Sequence, residues 1–127
     1  MAEKIFDNPT KPELAILKLL WGSEDLSARD IHDAIVGDFG WSYSTVRTVL
    51  DRMSEKGLIS KTAVGGVNVY SAQIGKVSLL GRMISDFSKR VLELDGAPAA
   101  AFFSDSKLLS DDELAELETV LRDAEDE

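Results

Sequence analysis

Between Leu58 and Gln73 the apolar period shortens from helical to alternating, and it does so around a Gly65-Gly66 pair. Two β-prone runs, Leu58-Ile-Ser-Lys-Thr-Ala-Val64 and Val67-Asn-Val-Tyr-Ser-Ala-Gln73, flank that pair, which is the pattern of a hairpin closed by a two-residue turn. Apolar residues upstream recur at helical spacing in short segments. A chain with this order has few ways to bury its hydrophobic faces.

The upstream segments carry their own start and stop signals. Thr10-Lys-Pro-Glu13 is a capping box with a proline in the first turn. Leu14, Leu17, Leu20 and Trp21 follow at helical spacing, and Gly22 closes a helix over about 11–21. Ser27 opens a second helix, with Asp30 in its first turn and Ile31, Ala34 and Ile35 as its apolar stripe. Phe39 and Trp41 stand in the short turn after it, as packing residues. Ser42 caps a third helix whose stripe is Val46, Val49, Leu50 and Met53, and Gly57 ends it. Three short helices and one hairpin predict a mainly α fold with a small β-hairpin: a winged helix-turn-helix DNA-binding domain over 8–75.

The third helix has a second face. Ser44, Arg47, Thr48 and Asp51 lie opposite its apolar stripe. Arg47 can donate bidentately to guanine O6 and N7, and Ser44 and Thr48 can touch base edges or phosphates. Ser42, Tyr43 and Thr45 sit by the helix start, where free amides favour a phosphate. Arg52 and Lys56, further round, suit the DNA backbone, as does Lys61 on the first wing strand. Thr62, Asn68 and Tyr70 are weaker wing candidates, Tyr70 equally suited to packing. Arg29 suits either a phosphate or an ion pair with Asp25 or Asp33. By itself the pattern also describes the solvated face of an ordinary helix.

Charge bears on this choice. The 127 residues carry 14 Lys/Arg against 23 Asp/Glu, a net −9. Residues 1–75 account for −2 of this and residues 76–127 for −7, yet 41–62 is locally +2. Screening over about 8 Å lets a locally basic face meet phosphate on an acidic body, with weaker non-specific affinity than a basic domain would have.

Helical periodicity returns at Lys76. Val77, Leu80, Ile84, Phe87, Val91 and Leu94 follow each other at intervals of three and four, a heptad seam that Leu79, Met83 and Leu92 widen. Asp95-Gly96 and Pro98 interrupt it, and Phe102-Phe103 are too apolar for a free linker. Ser110-Asp-Asp-Glu113 is another capping box, opening a last amphipathic helix through Leu114, Leu117, Val120 and Leu121. The winged domain is complete without the seam, so 76–122 reads as a helical dimerisation region. Its interface would comprise Val77, Leu80, Ile84, Phe87, Val91, Leu94, Leu114, Leu117 and Leu121. Residues 123–127 read as an acidic tail.

Other classes find little support. The chain has no cysteine and one histidine, His32, in the second helix beside Asp33, where a partly packed role is the ordinary one. Neither a Gly-rich phosphate loop nor a metal set is legible, so no enzyme, cofactor or metal is expected. No apolar run is long enough to cross a bilayer and the first residues lack a signal-peptide core, so a cytoplasmic location without membrane insertion is expected. The alternative is a winged-helix protein-interaction module docking a basic partner through its acidic C-terminal half.

The sequence resembles the penicillinase-repressor family of bacterial transcriptional regulators. The resemblance rests on Lys11-Pro-Glu-Leu-Ala-Ile-Leu-Lys-Leu-Leu-Trp21, Ser27-Ala-Arg-Asp-Ile31, Trp41-Ser-Tyr-Ser-Thr-Val-Arg-Thr-Val-Leu-Asp-Arg-Met53, Glu55-Lys-Gly-Leu-Ile59 and Leu109-Ser-Asp-Asp-Glu-Leu114. It implies a homodimeric repressor of a palindromic operator on double-stranded DNA, reading the major groove with the third helix. In the drug-resistance members of that family a membrane sensor protease leads indirectly to cleavage of the repressor, and the place that matches theirs here is about Phe102-Phe103. Drug-resistance members have Asn where this chain has Phe102, and lysine where it has Ser44. Members of the copper-responsive branch sense through C-terminal cysteines, which this chain lacks.

Overall fold

A computed structural model describes residues 8–23 and 25–125. The segment 1–7, on which the signal-peptide reading turned, and residues 126–127 of the expected acidic tail lie outside the described residues. The chain divides into two compact units between Ile74 and Gly75.

The first unit runs α1 (Lys11–Gly22), β1 (Leu26–Ser27), α2 (Ala28–Phe39), α3 (Tyr43–Glu55), β2 (Ile59–Val64) and β3 (Val67–Ala72). Each helix starts where its hydroxyl cap predicts. The Glu13 amide donates to Thr10 Oγ1 while Glu13 Oε1 accepts from the Thr10 amide. At α2 the box is Ser27 with Asp30, so Asp30 does more than face the helix dipole: it accepts the Ser27 amide. Ser42 Oγ accepts the Thr45 amide at 3.2 Å.

The sheet has three antiparallel strands in the order β1-β3-β2. The expected hairpin is there, with Ile59 opposite Ala72 and Val64 opposite Val67. Gly65 and Gly66 both take positive φ, 58° and 82°, the mirror-image turn that matches the strands' twist. The strand β1, two residues long, is an addition that periodicity could not reveal; it sets Leu26 against Tyr70 and Ser27 against Val69.

Leu17, Leu20, Ile31, Ile35, Val46, Leu50, Met53, Ile59 and Tyr70 are buried. Two details of the expected stripes change. Ile16 is fully buried, whereas Leu14 is half-buried. Ala34 faces solvent, and Ala28 completes the α2 stripe instead. The Trp21 indole N–H donates to the Ile74 carbonyl at 3.0 Å, tying α1 to the end of the unit.

The second unit comprises α4 (Lys76–Arg90), a 3-10 turn at Ala100–Phe103 and α5 (Asp111–Glu125). Val77, Ala100, Leu117 and Leu121 form its core, with Ile84, Ala97, Phe103, Leu109 and Val120 packed around them. Gly81 lets α4 and α5 approach: a Cβ there would collide with Val120. Two boundaries differ from the sequence reading. The helix α4 stops at Arg90 instead of carrying the seam to Leu94. The Val91 and Leu92 amides both reach the Phe87 carbonyl, and Glu93 turns back with φ 55°. At the other end α5 continues to Glu125, beyond Asp123 where the tail was expected to begin.

Candidate nucleic-acid interface

The third helix buries one face and frees the other. Val46, Leu50 and Met53 are fully buried, so rotation of α3 about its axis is settled by packing. Ser44, Arg47, Thr48, Asp51 and Arg52 are then exposed. The hydroxyls at its start are mutually tied: Ser42 Oγ lies 3.2 Å from Ser44 Oγ and 3.0 Å from Thr45 Oγ1. Thr48 Oγ1 donates to the Ser44 carbonyl, which leaves its lone pairs free to accept. Among the described residues no carboxylate lies within ion-pairing distance of Arg47, Arg52 or Lys61. Asp51 and Glu55, on the same helix, form no ion pair with Arg47, Arg52 or Lys56.

Lys56 departs from the expected phosphate contact. Its ammonium lies 2.8 Å from Glu13 Oε2, and the Glu13 side chain is only 7% exposed. This pair ties the start of α1 to the end of α3. Burial pushes the Glu13 carboxyl upward, but the Lys56 ammonium and the Thr10 hydrogen bonds outweigh it, and the net shift is downward. The Lys56 side chain is therefore a structural strut.

Tyr70, left open between packing and DNA, is buried. Burial, reinforced by the Asp51 charge and opposed by Arg47, raises its phenol above the ordinary value of 10.0, so it stays neutral. Its ring lines a concavity of about 420 Å³ shared with Arg29, Tyr43, Arg47 and Asn68. Sequence spacing offered each of these residues separately and gave no sign that they meet. Arg29 makes no ion pair with Asp25 or Asp33; its guanidinium carbon stands 4.9 Å from the Tyr43 ring centroid. Tyr43 also makes a T-shaped contact with His32, at 6.1 Å. His32 Nε2 lies 2.9 Å from the Trp41 carbonyl, so that nitrogen donates and the ring is a packing element between α2 and α3. Phe39 and Trp41 stack beside it, centroids 5.5 Å apart.

The residues expected at a dimer interface do not share one surface. Val77, Leu117 and Leu121 are the core of their own unit and are corrected to that role. Leu80, Ile84 and Leu114 are half-buried. Phe87, Val91 and Leu94 stand 51%, 51% and 48% exposed, with Leu92 beside them. Phe102 is 80% exposed, whereas Phe103 packs on the core. Among the described residues there is no cluster of three or more metal-ligating side chains, and no helix long and apolar enough to cross a membrane.

Helices, a wing and a polar face on the third helix define a winged-helix protein. Residues 9–123 match the penicillinase repressor family, and the chain belongs to it. This is a family of DNA-binding transcriptional repressors, not of enzymes. The methicillin resistance regulatory protein MecI of Staphylococcus aureus strain N315 is 24% identical over 86% of this chain and 89% of its own length. The penicillinase repressor of Bacillus licheniformis is 23% identical over 87% of each. An uncharacterised 16.5 kDa protein of Latilactobacillus sakei is 20% identical over 88% of this chain and 77% of its own.

Proposed function

We propose that the chain is a cytoplasmic homodimeric repressor that binds a palindromic operator. The observation that carries this reading is the face of α3: Arg47 exposed, in no ion pair with a described carboxylate, with Ser44 one turn before it and Thr48 next to it. In the major groove, Arg47 reads a guanine edge and the two hydroxyl residues read or position beside it. Ser42, Tyr43, Thr45, Arg52 and Lys61 hold the backbone strands on either side. Two such helices related by a two-fold axis read inverted half-sites, and the linkage raises affinity through effective concentration, which offsets the acidic body.

The exposed strip of Phe87, Val91 and Leu94, extended by Leu92, supplies the dimer contact. A proteolytic off-switch, engaged by a membrane sensor protease acting indirectly, would cut at Phe102-Phe103. That cut severs α5, the source of Leu117 and Leu121, from α4, the source of Val77.

Selecting genomic fragments that the protein retains tests the reading. The expected result is one shared inverted-repeat motif with half-sites separated by whole turns of about 10–10.5 base pairs. Retention of fragments with no common motif overturns it.

A further inference from the structure

The concavity between α2, the start of α3 and the wing is unusual for this chain. It is lined by Arg29, Arg47, Asn68, Tyr43 and Tyr70, and among the described residues no carboxylate lines it. In a protein with 23 acidic residues against 14 basic ones, two arginines lining one hollow form a local anion-attracting spot, although the Asp51 charge reaches Tyr70 on its wall.

Two of the acids nearest Arg29 in sequence are hydrogen-bonded elsewhere. Asp25 Oδ1 accepts from Ser71 Oγ at 2.9 Å. Asp30 Oδ2 accepts the Ser27 amide. Asp33 is exposed and forms no ion pair with Arg29. The Arg29 guanidinium rests on the Tyr43 ring instead. An aromatic face restrains a guanidinium without using up its planar fork of N–H donors, so the group stays charged, oriented and available. Tyr43 is in turn braced by His32, whose ring is anchored to the Trp41 carbonyl.

We propose that this hollow is a phosphate-binding site in which Arg29 is the donor fork, Tyr43 positions it, and Asn68 closes the far side. The ligand chemistry is a phosphate oxygen pair. Resting on the DNA-binding reading above, the source is a backbone phosphodiester between the groove that α3 enters and the wing. The hollow then adds a sequence-independent contact to the base contacts of Arg47.

The test measures affinity of the full chain for a mixed-sequence duplex across a salt series. Wild type is compared with Arg29→Ala, Tyr43→Leu and Tyr43→Phe. Arg29 is exposed, so its truncation leaves the fold in place, and thermal unfolding of each variant verifies this. The slope of log affinity against log salt should shrink by about 0.9 per protomer in Arg29→Ala, the loss of one phosphate contact. Tyr43→Leu should follow Arg29→Ala, whereas Tyr43→Phe, which keeps the ring face, should retain the slope. A parallel arm titrates the free protein with inorganic phosphate and follows the Arg29 side-chain N–H resonance. A shift at that resonance, with phosphate displacing duplex from wild type but not from Arg29→Ala, keeps the site and makes the free ion its ligand. An unchanged slope in Arg29→Ala together with a silent resonance overturns the proposal and leaves base reading by α3 standing. If wild type binds no duplex at all, the DNA reading itself fails, and the phosphate titration alone decides the hollow.

Discussion

Arg47 and Lys56 sit on the same helix and look alike in the sequence, yet the fold gives them opposite work. Arg47 projects from the exposed face and forms no ion pair with a described carboxylate. Replacing it with alanine should cost about 1–3 kcal/mol of operator binding and relax base preference at the contacted position. Competition assays with single-base operator variants measure both, and equal weakening on operator and random duplex would deny base reading. Lys56 instead holds Glu13 at 2.8 Å. Lys56→Met should leave the buried carboxylate short of a partner. The expected loss is about 1–3 kcal/mol in denaturant unfolding, toward the low end because the lysine is half exposed. Salt slopes of DNA binding should stay near wild type in that variant. The same pair makes a pH prediction. The folded Glu13 carboxyl lies below its ordinary value of 4.5, and so does that of Glu113, which takes the Ser110 amide first and Lys76 second. Both contributions are fully present at neutral pH and are lost as pH falls from 4.5 through the lowered values. Acid titration of stability should therefore be flatter in Glu13→Gln than in wild type.

At the scale of elements, caps and periods were legible and partners were not. Thr10, Ser27, Ser42 and Ser110 mark real helix starts because capping depends on neighbours three residues away. The Gly65-Gly66 turn is equally local. The strand β1 escaped notice because two residues carry no period; it exists only because β3 has an edge to pair. The seam from Val77 to Leu94 shows the reverse error. Its spacing is a true helical period as far as Phe87, but α4 ends at Arg90, and heptad spacing alone does not say which partner covers each residue. The partner of its first turns is α5, and at Gly81 the two helices come too close for a Cβ. Gly81→Ala should destabilise the second unit: a clash with Val120 of about 1–3 kcal/mol exceeds the helix propensity gained. Pairing it with Val120→Ala should recover much of the loss, and thermal unfolding of both variants reads this directly.

At the scale of the whole molecule, the exposed apolar strip and the acidic charge belong to one argument. A net −9 weakens the attraction of a single domain to DNA, and in the proposed dimer a second copy would restore binding by doubling the contacts. Phe87→Glu places charge in the strip without touching the core cluster. Sedimentation equilibrium should show it as a monomer where wild type is a dimer, and operator affinity should fall steeply while thermal stability of the fold holds. A wild-type monomer at working concentration would remove the two-fold reading of the operator.

The winged order, the helix caps, the polar face of α3 and the family were all in the sequence, because each depends on residues a few positions apart. What the tertiary structure alone decided was the partner of each side chain. It set Glu13 against Lys56, forty-three positions apart, moved Val77, Leu117 and Leu121 from an interface to a core, and laid Arg29 on Tyr43 at the mouth of a hollow completed by Asn68 and Tyr70. Spacing along a helix says which residues share a face, whereas the neighbour that neutralises or covers a group arrives from another part of the chain, and its place is set by how the elements pack.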